Sequence, residues 1–182
     1  MPARNSPLRY GPVAQTLHWV IVGLLIVQVT LGNIADSLPL GLDKLAVLAR
    51  HKSFGITILG LAVIRLAWRC FNRPPPLPPM PRWQLLAARL NHWALYALLF
   101  LLPFSGWMMS SASNYPVSWF GLVQLPDLVG PDRDAKEWFH ELHELFVYAL
   151  YALVGLHVAA ALKHQFVDRD GLLLRMLPGR GP

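Results

Sequence analysis

The sequence predicts an all-α membrane protein, a bundle of four transmembrane helices in one domain that covers residues 1–182. The chain is 54% hydrophobic and only 14% charged, which is more apolar surface than a soluble domain of this size can bury. It contains four nearly uncharged runs, and each is long enough for the roughly 20 residues that a membrane-spanning helix needs. The predicted spans are approximately residues 13–35, 51–71, 90–110 and 139–163.

The charged residues between these spans are divided by side. The N-terminus, the second loop and the C-terminus share one side of a four-span protein, and they carry most of the basic residues: Arg4, Arg9, Arg69, Arg73, Arg82, Arg89, Lys163, Arg169, Arg175 and Arg180. The opposite side carries five basic and eight acidic residues. By the positive-inside rule, both termini are expected in the cytoplasm. The net charge of +6 then reports orientation and requires no nucleic-acid partner.

The connecting segments differ in character. Basic residues precede the first span, but its apolar run is longer than that of a signal peptide, so we expect it to be retained. Asp36 to Arg50 is predicted to connect the first two helices on the outer side. The third loop, roughly Ser110 to Glu137, is the longest, and its aromatic residues indicate a segment at the outer interface of the membrane. The second loop contains six prolines, which favour an extended conformation: Pro74, Pro75, Pro76, Pro78, Pro79 and Pro81.

Histidines in the spans are the candidate functional residues, because an ionisable side chain inside a membrane is costly unless it has a partner. His143 and His157 are fourteen residues apart on the fourth span, which places them within roughly 40° on one helix face and about 21 Å apart. The first helix runs outward and the fourth inward, so His18 is expected at the depth of His157. By the same reasoning, His51 on the second helix matches the depth of His143.

Two imidazoles at each of two depths is the arrangement that bis-histidine ligation of two stacked haems requires. A zinc or copper site is the alternative, but zinc would need about four ligands at one point, and His143 and His157 are too far apart for that. His92 is a rival to His18, because the two lie at the same depth, and geometry leaves this choice open. His140 is turned away from the shared face, and His164 lies beyond Lys163 at the surface.

Two basic residues are further candidates for the cofactor environment. Arg65 follows His51 by fourteen residues and lies on the same face of the second helix, where it could pair with a haem propionate or a quinone carbonyl. The alternative is an arginine that reaches the nearby interface. Lys52, beside His51, is a similar candidate on the outer side. Gly106 and Gly155 are small enough for a flat ring or another helix to approach closely.

With these residues identified, the chain resembles the bacterial cytochrome b561 family of dihaem membrane cytochromes over residues 10–179. The resemblance is carried by six motifs: Leu17-His18-Trp19, His51-Lys52-Ser53-Phe54-Gly55, Leu102-Pro103-Phe104-Ser105-Gly106-Trp107, His140-Glu141-Leu142-His143-Glu144, Gly155-Leu156-His157 with the following residues to His164, and Leu174-Arg175-Met176-Leu177-Pro178-Gly179. It implies two b-type haems, one held by His18 and His157 and the other by His51 and His143. It also implies that His92 is not a ligand, which leaves His92 and Arg65 as candidates for the quinone or propionate environment.

The resemblance implies an oxidoreductase of the bacterial inner membrane that passes electrons from superoxide at the outer face to ubiquinone. The haems would be held by ligation and packing alone, because Cys70 is the only cysteine and no Cys-x-x-Cys-His motif occurs. One alternative is an electron-transfer or anchor subunit for a dehydrogenase or hydrogenase-type partner protein. Another is a cofactor-free membrane scaffold or transporter.

Overall fold

The computed structural model describes residues 4–179, so Arg180 lies outside the described residues. Long helices account for most of this part of the chain: α1 (Pro12–Ser37), α2 (Leu42–Phe71), α3 (Arg82–Ala112) and α4 (Arg133–Lys163). A short antiparallel hairpin, β1 (Ser118–Trp119) and β2 (Val123–Gln124), lies between α3 and α4. After α4 the chain forms a π-helical turn (His164–Asp168) and a 3-10 turn (Leu173–Met176).

Local sequence explains where these helices begin and bend. Pro12 occupies the first turn of α1, where its missing N–H is not needed. At the start of α4, the Asp132 carboxylate accepts a hydrogen bond from the N–H of Ala135 at 2.9 Å, which is an N-terminal cap. Pro103 lies inside α3, where it removes one helical donor, a change that membrane helices tolerate when neighbouring groups compensate.

The helices pack in sequence order, α1 on α2, α2 on α3, and α3 on α4. Within the described residues, α4 makes few close backbone approaches to α1 or α2. Its inner face is therefore separated from the first two helices by a gap wider than that of ordinary helix packing, which brings helices within 8–10 Å of each other. The candidate histidines of α1, α2 and α4 face one another across this gap.

The four helices are long and apolar enough to cross a membrane. Large apolar side chains point away from the bundle rather than into it; Ile26 is 65% exposed and Leu145 is 61% exposed. Such faces are stable only in contact with lipid. The predicted fold, an all-α bundle of four membrane helices, is confirmed.

The helices extend beyond the predicted spans. The connection between α1 and α2 comprises only residues 38–41, because residues 42–50, which were expected to be part of a longer connection, are helical. Likewise, α3 begins at Arg82 and α4 at Arg133. Hydropathy detects only the part of a helix that lies in hydrocarbon, whereas charged residues such as Asp43 are compatible with a helix that projects into water and favour its first turn.

The segment after α3 folds back onto α2. The Ser53 hydroxyl is within hydrogen-bond distance of the carbonyl oxygens of Ala49 (2.8 Å) and Ser118 (3.1 Å), and it accepts from the N–H of Phe120 at 3.0 Å. The indole of Trp119 donates to the Thr57 hydroxyl at 3.0 Å. These contacts hold the β1–β2 hairpin over the end of α2 that carries His51.

Replacing Ser53 with alanine should loosen this hairpin. Ser53 is only 2% exposed, and its loss leaves the Phe120 N–H without its acceptor, which costs about 1–3 kcal/mol. We expect a lower midpoint of thermal unfolding by circular dichroism in detergent. Ser37→Ala is the matched control because Ser37 is exposed and bonds only within its own helix. Equal midpoints for the two variants would contradict the role assigned to Ser53.

Candidate functional site

Two histidine pairs lie inside the bundle, and α4 contributes one member of each. The ring of His18 on α1 lies 6.3 Å from that of His157, centroid to centroid, with an interplanar angle of 69°. The ring of His51 on α2 lies 6.4 Å from that of His143, with an angle of 70°. Because His143 and His157 are fourteen residues apart, the two pairs are separated by about 21 Å along α4.

These distances fit a metal between the rings. In a metal–imidazole complex the nitrogen lies about 2 Å from the metal and the ring centroid about 1 Å further, so two imidazoles on opposite sides of one metal have centroids about 6 Å apart. Both pairs match this spacing. The ring of His92 lies closer to His157, at 5.3 Å, which is the distance of a direct edge-to-face contact and is too short for a metal held axially between the two rings.

The ring orientation of His143 is defined by a hydrogen-bond relay. Its Nδ1 lies 2.9 Å from the Ser105 hydroxyl, which in turn donates to the Leu102 carbonyl at 3.0 Å. When the hydroxyl donates to that carbonyl it offers only its lone pairs to the imidazole, and in that arrangement Nδ1 carries the proton and Nε2 is free to act as a ligand. A second group that sets the tautomer in this way is the usual support for a metal-bound histidine.

Two glycines lie beside the His51 and His143 rings. A Cβ on Gly106 would lie 3.3 Å from Cε1 of His143, which is a tight contact, and one on Gly32 would lie 3.5 Å from Cε1 of His51, which is an ordinary van der Waals distance. The His143 imidazole thus occupies space for which a larger residue at position 106 would compete. No atom lies within 4 Å of a Cβ built on Gly155, which is open on the side where its Cβ would point.

Arg65 lies within electrostatic range of the His18–His157 pair. Its Nε donates to the Tyr96 hydroxyl at 3.1 Å. Its Nη1 is buried and has no hydrogen-bond partner among residues 4–179. This part of the guanidinium stays inside the bundle, in contrast to an arginine that reaches the membrane surface, and it remains available to an acceptor.

Lys52 is directed toward the segment between α3 and α4. Its Nζ lies 3.4 Å from the Tyr115 carbonyl oxygen and 5.7 Å from the centre of the Tyr115 ring. It therefore lies at the edge of the His51–His143 site and supplies positive charge beside His51. His164, beyond the end of α4, bonds through Nδ1 to the Asp170 carboxylate at 2.6 Å and secures the turn that follows the helix.

Sequence reasoning assigned no role at the histidine sites to Ser105, Gly32 or Tyr96; it predicted Gly32 at the end of the first helix, which instead continues to Ser37. Ser105 lies within a motif that was recognised, and the signal for it was a hydroxyl beside Gly106 in an apolar helix. Gly32 and Tyr96 carry no comparable signal, because their roles depend on how α1 packs on α2 and how α3 packs on α2. Only the folded bundle brings these residues to His51 and Arg65.

The fold and the histidine pairs define a class, helical membrane proteins that hold a metal cofactor between imidazoles of different helices. The family described as prokaryotic cytochrome b561 matches residues 9–179. The chain is 35% identical to cytochrome b561 homolog 2 of Escherichia coli strain K12, over 97% of this chain and 95% of the relative. It is 29% identical to cytochrome b561 homolog 1 of the same organism, over 94% and 98%. It is 28% identical to the probable superoxide oxidase CybB of Yersinia pestis, over 93% and 96%.

The chain belongs to the prokaryotic cytochrome b561 family. The resemblance seen in its sequence motifs is therefore confirmed. Membership identifies the protein as a multi-pass bacterial membrane protein that binds b-type haem and transfers electrons. A cofactor-free scaffold or transporter does not fit this family.

A methyl group at Gly106 should disturb haem binding. Gly106→Ala places a Cβ against the His143 ring, and overpacking of this kind typically costs about 1–3 kcal/mol. We expect a lower haem-to-protein ratio after purification and a changed absorption spectrum. Gly155→Ala, on the same helix as His143 but with open space at its Cβ, should match the unmodified protein. An unchanged haem content in Gly106→Ala would show that the ring does not depend on this space.

Proposed function

We propose that this protein is a dihaem electron-transfer protein that connects the two faces of the membrane. His18 and His157 hold one haem, and His51 and His143 hold the other. The observation that carries the proposal is the spacing of the paired rings, 6.3 Å and 6.4 Å, which in both cases would accommodate a metal between the two imidazoles. His92, at 5.3 Å from His157, is better suited to a role beside the haem than to ligation.

With two imidazoles to hold each iron, the haems would supply one-electron redox chemistry and would offer no position for oxygen as a ligand. The residues of this chain hold the imidazoles in place, exclude water from the bundle and set the distance between the two sites. The basic residues at the N-terminus, the second loop and the C-terminus support a cytoplasmic location for both termini, so the His51–His143 site is the outer one.

The proposed reaction takes electrons from superoxide at the outer site and delivers them to ubiquinone in the membrane. Each superoxide loses one electron and becomes dioxygen, and a quinone takes two electrons and two protons to become a quinol. The similarity to the probable superoxide oxidase CybB of Yersinia pestis supports this donor. Lys52 provides a positive charge at the outer site that attracts a small anion.

Arg65 and His92 form the proposed environment of the inner haem. The buried Nη1 of Arg65 is a charged donor for a haem propionate or a quinone carbonyl, because a buried donor gains most from an ionised or strongly polar acceptor. The ring of His92 lies 5.3 Å from that of His157. It therefore belongs to the same environment and can contact a quinone bound beside the haem.

A second function is supported by the outer surface. The outer segments carry eight acidic and five basic residues, a balance that suits the docking of a basic redox protein better than the attraction of superoxide. In that case the chain would be a haem-bearing electron-transfer subunit or anchor of a dehydrogenase or hydrogenase-type partner.

Substitution of the ligands should remove the haems one at a time. We expect His51→Ala and His143→Ala to lose one haem and His18→Ala and His157→Ala to lose the other, each reducing the ratio from two haems per chain to about one. Pyridine haemochrome assays and redox titration measure the number and identity of the remaining haem. His92→Ala is the control and should keep both. Loss of a haem in His92→Ala with retention in His18→Ala would refute the inner pairing.

A kinetic assay tests the proposed donor and acceptor. Purified protein with a short-chain ubiquinone should consume superoxide at a rate that depends on the quinone. Lys52→Gln should lower this rate several-fold and flatten its dependence on ionic strength, because screening acts on the charge that attracts the anion. Lys136→Gln, which removes an exposed charge from the same side, should have little effect. If superoxide loss does not depend on quinone, the result would instead favour a function as an electron-transfer subunit of a partner protein.

A further inference from the structure

Three separate segments meet at the end of the bundle that carries both chain termini. They are the N-terminal segment (residues 4–11), the proline-rich loop (residues 72–81) and the C-terminal segment (residues 169–179). We call the three together the terminal clasp. None of these segments belongs to a membrane helix, apart from the cap positions at their ends.

The N-terminal and C-terminal segments are joined by backbone groups. The N–H of Tyr10 donates to the Arg175 carbonyl at 3.3 Å. The side chain of Gln15, only 7% exposed, lies with its Nε2 3.0 Å from the Tyr10 carbonyl and 3.2 Å from the Arg175 carbonyl. The guanidinium of Arg9 donates to the carbonyls of Leu177 and Gly179. One arginine thus binds two successive parts of the C-terminal segment.

The proline-rich loop is tied to both of the other segments. Nη1 of Arg175 donates to the Pro76 carbonyl at 2.9 Å. On the other side, the amide of Asn5 lies 3.2 Å from the carbonyl oxygens of both Asn72 and Arg73, and its oxygen accepts from the N–H of Gly11 at 2.9 Å. In an extended, proline-rich segment the backbone carbonyls make no helical hydrogen bonds. The loop therefore has free acceptors for the guanidinium of Arg175.

The clasp reaches the level of the inner histidine pair. The indole of Trp19 donates to the Met176 carbonyl at 2.8 Å, and the Trp19 ring lies 5.1 Å from the ring of His18. The C-terminal segment therefore lies alongside the first two turns of α1. Burial raises the pKa of the nearby Tyr10 phenol above its ordinary value, although the charges of Arg69 and Arg65 oppose the shift. The phenol is neutral at physiological pH, so it adds no buried anion to the clasp.

On its lateral side the same site is bordered by α3. The ring of His92 contacts that of His157, whereas Leu90 and Trp93, which are 61% and 56% exposed, lie on other faces of α3 because successive helix positions are turned by about 100°. Those exposed apolar side chains contact lipid in a membrane. A hydrogen-bonded layer thus covers the site along the bundle axis, and toward the bilayer it is bordered by a helix with an apolar outer face.

We propose that the terminal clasp seals the His18–His157 site against the aqueous phase and restricts its electron exchange to a partner dissolved in the bilayer. This inference rests on the proposed function, and it adds that the clasp excludes water-soluble redox partners from this end of the bundle. The hydrogen bonds of Arg9 and Arg175 are the positions at which the seal can be opened without touching a histidine.

The test uses the whole protein with its haems in sealed lipid vesicles. The chains insert into the vesicles in both orientations, and the haems are then reduced. Ferricyanide is added only to the solution outside the vesicles. Each chain therefore presents either its His51–His143 site or its clasp to the oxidant. We expect the unmodified protein to be oxidised in a fast and a slow phase. The double variant Arg9→Ala/Arg175→Ala should accelerate the slow phase about tenfold and leave the fast phase unchanged, while oxidation by a short-chain ubiquinone stays within about twofold.

Charge alone would give the opposite result. Ferricyanide is an anion, so loss of two arginines would slow its approach, and only opening of the clasp can speed it. Arg82→Ala removes a positive charge from the same end, at the exposed beginning of α3, and should not accelerate the slow phase. Hydrogen–deuterium exchange at residues 8–15 and 172–177 reports whether the clasp has opened.

The outcomes separate the two proposals. An opened clasp, seen by exchange, with an unchanged slow phase would overturn the seal. If the double variant loses its haem, the single variant Arg175→Ala is used instead, because it keeps the hydrogen bonds of Arg9. We expect it to accelerate the slow phase as well, but by a smaller factor. If ubiquinone fails to oxidise the haems in every variant, the proposed function fails, whereas the ferricyanide comparison still decides whether the clasp seals the site.

Discussion

The arrangement of both sites depends on one constraint, the cost of placing an imidazole in a membrane without a partner. α4 carries two such imidazoles fourteen residues apart, close to a whole number of turns, so both point the same way into the bundle. Each meets an imidazole from a different helix, His18 from α1 and His51 from α2. The direction of α4 therefore decides which neighbouring helix serves which end, and it makes this helix common to both sites.

The packing of the bundle follows from that constraint. α4 packs along α3 but stays apart from α1 and α2, because the paired rings need space between them that side chains would otherwise fill. Where the His143 ring approaches α3, glycine removes the competing Cβ, as at Gly106. Ser105 contributes a hydrogen bond to the same ring. Small and polar residues thus make up much of the buried interior, and many large apolar side chains face outward.

The two ends of the bundle are covered in different ways. At the end that carries His51 and His143, the β1–β2 hairpin is held on α2 by Ser53 and Thr57. At the opposite end, three segments distant in sequence are joined through Arg9 and Arg175. Both covers consist mainly of backbone groups satisfied by side chains, which is the condition for irregular chain to lie against a membrane-embedded site. In the proposed function, such covers would keep water and small solutes from the cofactors.

The sequence by itself determined the class of fold, the number of membrane helices and the family. Hydropathy and charge asymmetry are local properties that a membrane enforces, and the spacing of His143 and His157 is a property of one helix. The sequence predicted the ends of the helices less well. Residues 42–50 are too polar for a hydropathy profile to assign them to a membrane span, but they are part of α2. Helix geometry could not decide whether His18 or His92 is the partner of His157, because both lie at the same depth. That choice rested on the family resemblance.

Tertiary structure alone decided which groups touch. The bond between Arg65 and Tyr96 joins α2 to α3, the contact of Gly32 with His51 joins α1 to α2, and the terminal clasp joins residues more than 160 positions apart. Helix rotation about its axis and the path of a loop determine such contacts, and neither leaves a periodic signal in the chain. Local chemistry therefore identifies the histidines, whereas only the packed helices set the distance between them that suits a haem.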